Sequence, residues 1–336
     1  MKNSKLIPNK SGQNSKLRKF TICNLQFAIY NSRRAGFTLI ELMIAITITV
    51  LAMAAVYTSF IVQQRSFTTQ DQVAETELSS KIGFDMLIND IRDAGFGYPA
   101  EKPPVNSFTE SIYINPTPGV NGSDILTLVG GFRRIAALQN ATTVGSDQIM
   151  INYTGSTEFN QANRSNLSIE GLTFATITNC TLVGGNCSGA AVITLDRDID
   201  KPIPAGRPVY LVEDVTYQIV TATGTNCNNA PVGTTCLTRS VAGGGAGNVD
   251  TIANNIDDFQ IADCSTQSPL SSCTSTGNYL IVSLLARTAA EDQTLDPNTK
   301  PYPTGIILED QTTAVGAGDR FRRRIWSMKV AWRNSR

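Results

Sequence analysis

The stretch Arg33-Arg34-Ala35-Gly36-Phe37-Thr38-Leu39-Ile40-Glu41, with the apolar run that follows it to Val62, decides how this chain is built. From Phe37 to Val62 there are 26 residues and one charge, Glu41. About 20 apolar residues suffice for a helix to cross the hydrocarbon core of a bilayer. A charge at the centre of such a helix costs about 2.5–3.5 kcal/mol on insertion scales, so intramembrane carboxylates are rare. Glu41 sits near one end of the run, where the cost is lower but the charge still requires a partner. That makes it a functional candidate on chemistry alone. Two plainer readings compete. One is an ordinary single-span anchor with Glu41 snorkelling to the interface. The other is a cleavable secretory signal, with Ala52-Met53-Ala54 as its A-x-A site after a basic segment. Against the second, the run exceeds the roughly 7–15 residues of a signal's apolar region and passes directly into a further helical pattern.

The net charge of zero hides an asymmetry. Residues 1–36 hold Lys2, Lys5, Lys10, Lys16, Arg18, Lys19, Arg33 and Arg34 and no acid, so removing them leaves 28 − 8 = 20 basic against 28 acidic residues, a net of −8. The basic segment is expected to stay cytoplasmic and the acidic remainder to cross the membrane. There is no histidine. That removes His-based acid–base catalysis, Ser-His-Asp and Cys-His nucleophiles, and most zinc sites.

No proline interrupts Phe37 to Tyr98. Beyond the membrane run, Phe67, Val73, Leu78, Ile82, Met86, Leu87 and Ile91 recur at mostly helical spacing, and this predicts one apolar stripe packed on the body. Gly83 is the weak point, and Gly95, Gly97 and Pro99 end the pattern. The helix is expected from Phe37 to Ala94, with a transmembrane half over 37–62 and an amphipathic half over 63–95. Residues 96–336 read as β. Strand-like runs cover Asp124–Val129, Gln148–Tyr153, Ala191–Leu195, Val209–Val220, Tyr279–Ala286 and Ile325–Trp332, separated by Gly, Asn, Pro and Ser clusters. The fold class expected is α+β, a long N-terminal helix followed by a β-rich head of about 240 residues, enough for one sizeable core or two small ones.

Apart from Cys23, the cysteines fall into three close pairs, Cys180/Cys187, Cys227/Cys236 and Cys264/Cys273, each spanning loop-forming residues. Six cysteines allow 15 connectivities. Neighbour pairing is the expectation, each bridge closing a short loop and contributing about 2–3 kcal/mol. Free thiols are the alternative. No pair has C-x-x-C spacing and no histidine can complete a metal site. An oxidising compartment fits this usage.

Other constellations are weaker. Asp196, Asp198 and Asp200 alternate as calcium ligands can, but Pro202 and Ile203 break the helix–loop–helix pattern, and a solvated loop face is expected. Arg320, Arg322, Arg323 and Arg324 precede the last strand. A phosphate or DNA site is opposed by the charge of −8, so a charged strand edge, or pairing with acidic residues of a partner subunit, is expected. Glu213/Asp214 and Asp257/Asp258 are sequence neighbours that face opposite ways in a strand, poor geometry for paired acid–base work. No enzymatic activity and no cofactor is expected.

Gly36-Phe37-Thr38-Leu39-Ile40-Glu41 after a basic stretch resembles the processing site of type IV prepilins and of the related pseudopilins. The resemblance implies cleavage between Gly36 and Phe37 by a prepilin peptidase and N-methylation of Phe37, leaving Glu41 as the assembly glutamate. It implies a leader over residues 1–36, longer than is usual in that family. Asp85 to Phe96, the Gly-Ser-Asp strand starts at Gly122 and Gly145, Ala253 to Ile261, Val282 to Arg287 and Asp319 to Asn334 are similar to the PilW-like minor pilins. That branch implies a structural subunit that helps initiate type IV pilus assembly and sits near the fibre tip. Its partners would be other minor and major pilins and the inner-membrane assembly platform. The head would lie in the periplasm before assembly and outside the cell after it. A J-like minor pseudopilin of a type II secretion system, or a tip module binding a surface or DNA, is the alternative.

Overall fold

The computed structural model of the chain describes residues 36–101, 103–115, 119–153, 165–182, 189–224, 226–241, 249–264, 277–293, 295 and 319–332. The chain divides into two units, residues 1–61 and 62–336. The described part of the first is a three-residue lead-in and the start of helix α1, Leu39–Asp93. α1 contains a charge-poor window long and apolar enough to cross a membrane, none of it buried. Its end is set by backbone chemistry. Gly95 takes φ 78°, a left-handed conformation that glycine adopts without a Cβ penalty.

Among the described residues twelve strands follow: β1 (Ile112–Ile114), β2 (Leu126–Leu138), β3 (Gln148–Tyr153), β4 (Asn166–Ile169), β5 (Thr173–Leu182), β6 (Gly189–Leu195), β7 (Pro208–Thr221), β8 (Thr235–Val241), β9 (Val249–Asn254), β10 (Ile256–Asp263), β11 (Leu280–Arg287) and β12 (Arg323–Val330). All pairings are antiparallel. The framework is a meander, β1-β2-β7-β8-β9, and a separate sheet, β10-β11-β12. Strands β3 to β6 are inserted between β2 and β7. They run from the far end of β2 round to the near end of β7, so β2-β3-β6-β5-β4-β7 closes on itself. A closed ring of six strands encloses only side chains, and here they are aliphatic: Ile149, Ile151, Leu167, Ile169, Ile193 and Val209 among others.

The second core lies among α1, the meander and the β10–β12 sheet, where Phe84, Leu87, Ile88 and Ile91 meet Leu128, Tyr217, Leu237, Phe259 and Leu284. Each such side chain contributes about 1.5–3 kcal/mol on burial. The stripe predicted from spacing holds at Leu87 and Ile91, which are buried, but not one to three turns earlier. Leu78 and Ile82 are 65% and 59% exposed, while Ser80 and Gly83 are buried. The reason is close approach. A Cβ at Gly83 would lie 3.0 Å from Ile252 Cγ2 and 3.1 Å from Ala253 Cβ, so a small residue lets the helix backbone settle onto β9. The end of α1 is fixed at a break in the β2–β7 register. The N–H of Gly95 donates to the Val129 carbonyl at 2.8 Å, and that of Gly131 donates to the Phe96 carbonyl at 2.8 Å.

Candidate functional site

The segment that carries the sequence motif begins with Gly36, Phe37 and Thr38, which precede the helix and are exposed. Among the described residues nothing lies within 4 Å of where a Cβ of Gly36 would stand. Thr38 closes the first turn. Its Oγ1 accepts from the N–H of Glu41 at 3.3 Å, and its carbonyl accepts from the N–H of Leu42 at 3.2 Å. Thr38-x-x-Glu41 has the spacing of a capping box. The carboxylate of Glu41 therefore stands in the first turn, where the unpaired N–H groups of a helix favour negative charge. Phe37 lies one turn from it, and Phe37, Leu39 and Ile40 are exposed around it.

Of the expected disulfides, Cys227–Cys236 is present, spanning a separation of 9 residues from the turn before β8 into the strand. It is buried with Ala222 in a small cluster of its own. Cys264 follows β10 and is disulfide-bonded; Cys273 lies outside the described residues. Cys180 is half-buried in β5 against the barrel core, and its expected partner Cys187 also lies outside them. The same holds for Cys23.

Of the four arginines leading into the last strand, three are engaged by acids of the same chain and the fourth, Arg320, by Gln293. Arg323 begins β12 with its side chain buried. Its Nε donates to Asp257 Oδ2 at 2.8 Å, and its terminal nitrogens donate to Asp319. Arg287 reaches the same Asp257 at 3.2 Å. Arg322 pairs with Asp292 at 2.7 Å, Arg320 donates to Gln293, and Arg324 lies 3.8 Å from Glu77. Burial pushes the Asp257 carboxyl up, and the two guanidiniums pull it back only in part. For Asp319 burial also acts upward, but Arg323 and the Phe321 N–H outweigh it and hold the carboxyl below the usual range. Asp196 accepts from the Thr176 N–H at 2.7 Å and pairs with Arg197, so it joins strand ends. Among the described residues no group of three His, Cys, Asp or Glu side chains converges as metal ligands would.

One polar cluster escaped sequence reasoning. Asp90 on α1 accepts from Tyr217 Oη at 2.7 Å and from Arg239 Nε at 2.8 Å, tying the helix to β7 and β8. Burial and the Asp90 charge push the Tyr217 phenol far above its ordinary range. The residues lie 127 and 149 positions apart, and no local pattern links them. A cavity of about 590 Å³ also opens beside Arg65, Val73, Glu77, Asp292 and Arg322.

Residues 31–57 match the family model of the prokaryotic N-terminal methylation motif, the type IV prepilin-like signature. Comparison with curated proteins and with solved structures finds no match.

Proposed function

We propose that this chain is a minor pilin that helps to initiate a type IV pilus and is carried near its tip. The carrying observation is Glu41, a carboxylate in the first turn of a helix whose apolar stretch to Val62 carries no other charge, inside the matched methylation motif. In this reading residues 1–36 are a cytoplasmic leader, and the prepilin peptidase cuts after Gly36 and methylates Phe37. The helix holds the subunit in the inner membrane first and enters the fibre core afterwards. In the fibre Glu41 pairs with the amino terminus of a neighbouring subunit, which satisfies a charge that is costly to bury alone. The role is structural, with other pilins and the assembly platform as partners.

Glu41→Val tests the reading. The variant subunit should be cleaved normally yet be largely missing from sheared fibres. Wild-type amounts in the fibres would remove Glu41 from assembly. The same N-terminal features serve pseudopilins, so a second experiment separates the two systems. Deleting the gene in a retraction-deficient background should remove nearly all surface pili, and normal pili would shift the assignment to a type II secretion pseudopilin.

A further inference from the structure

The two sheets end in four strands, and three of those ends are blunted. β1 is 3 residues long. β9 is short and sits beside a register shift at Leu237/Thr238. β10 is irregular at Ile256/Asp258, and its outer side is occupied: the Asp124 N–H donates to the Phe259 carbonyl, Asp124 Oδ2 accepts from the Ile261 N–H, and Asn121 donates to the Asp257 carbonyl. Short strands, irregularities and covering segments are means by which proteins stop an open edge from pairing with any strand, whereas charged side chains on an edge discourage only partners of like charge.

β12 has none of these. It runs 8 residues without proline and pairs with β11 in unbroken register from Arg323 to Val330. Among the described residues no backbone bond reaches its other side. The strand is held firmly. Arg323 is anchored by Asp257 and Asp319, Trp326 Nε1 donates to Ser80 on α1 at 2.9 Å, and Ser327 bonds to Ser283 at 3.0 Å. It is a firmly held template whose outer row of amides and carbonyls no other described residue uses.

We propose that the outer edge of β12 is a docking strand, to which an extended, acidic segment of a partner protein adds as a fourth strand of the β10–β12 sheet. Charge selects the partner. In a symmetric antiparallel pair of two β12 strands, Arg324 would stand opposite Lys329 twice, and directly opposed like charges destabilise strand pairing. A second copy of this chain is therefore disfavoured. A segment with carboxylates opposite Arg324, whose contact with Glu77 is long and exposed, and opposite Lys329, which lies over the Tyr279 ring, and with an apolar residue beside the half-exposed Ile325, complements the edge. Main-chain bonds would give affinity and these side chains specificity.

The test uses the full-length protein in detergent micelles and fluorescein-labelled Thr/Val peptides of β12's own 8-residue length. One peptide carries Glu at its second and seventh positions, the other Lys, and binding is read by anisotropy. The Glu peptide should bind roughly tenfold tighter than the Lys peptide, the sum expected of two opposite-charge pairs set against two like-charge ones. The double variant R324E/K329E should reverse the preference, a gain of binding that misfolding cannot mimic. N-methylating alternate amides of the Glu peptide should abolish its binding, which charge attraction alone would survive. Absence of Glu-peptide binding, no reversal, binding indifferent to N-methylation, or self-association of the protein through β12 would each overturn the proposal.

Discussion

At the scale of single residues, the most consequential arrangement is the acid–base knot at the start of β12. Arg323 is buried, and Asp257 is its deepest counter-charge. Removing one member of a buried pair costs about 3–5 kcal/mol, because the other is left without compensation. Asp257→Ala is expected to lower stability by that amount. Both tryptophans, Trp326 and Trp332, lie in or beside β12, so fluorescence melting of the full-length protein in micelles reads this sheet directly. The pH dependence follows from Asp319. Its carboxyl lies below its ordinary value in the folded chain, so its contribution is complete above the unfolded range near ~3.9 and is lost as pH falls through the lowered value. Asp257, pushed upward, acts in the opposite sense and takes up its proton first. Asp319→Asn should therefore flatten the acid limb of the stability curve. An unchanged limb would show that Asp319 contributes nothing there.

At the scale of elements, α1 offers a direct comparison between what spacing predicts and what packing chooses. Leu87→Ala removes a fully buried side chain and should cost about 2–5 kcal/mol, whereas Ile82→Ser, on the exposed face, should change stability by less than about 0.5 kcal/mol. Gly83→Val should cost about 1–3 kcal/mol through overpacking against Ile252, although it removes a glycine from a helix. Equal effects of the Leu87 and Ile82 changes in thermal melts would restore the stripe expected from sequence. The helix itself was legible because hydropathy and the lack of proline are local facts. Its contact face was not, since a helix that approaches through Ser80 and Gly83 shows no apolar residue at the closest point. The strands show the same division. β3, β6, β7 and β11 are Val- and Ile-rich and stand out in the sequence. β10 hides because Asp257, Asp258 and Gln260 are buried through distant partners and neighbours, and β12 reads as starting at Ile325 because Arg323 looks like surface. In the candidate site, Gly36 to Glu41 was readable residue by residue, while the Asp90–Tyr217–Arg239 link exists only in the folded chain.

At the scale of the whole β-rich unit, the two larger cores share no residue, one inside the barrel and the other beneath α1. The inserted strands should therefore be separable. Arg133 and Leu211 face each other across β2 and β7, so excising the residues between them and joining the ends with Asn-Gly gives a two-residue hairpin. The shortened protein should keep the Cys227–Cys236 bond and a cooperative tryptophan transition. A molten product would show that the barrel supports the meander. The insertion also bears on the order of folding. Leu126 pairs with Tyr217 across 91 positions, whereas β4 and β5 meet through a tight turn. Closing a long loop carries an entropic cost that grows with the logarithm of its length, and chains dominated by distant pairings fold slowly. Local hairpins that form first would draw the ends of β2 and β7 together, so the barrel would act as a kinetic clasp whose early closure brings the two halves of the framework within reach of each other.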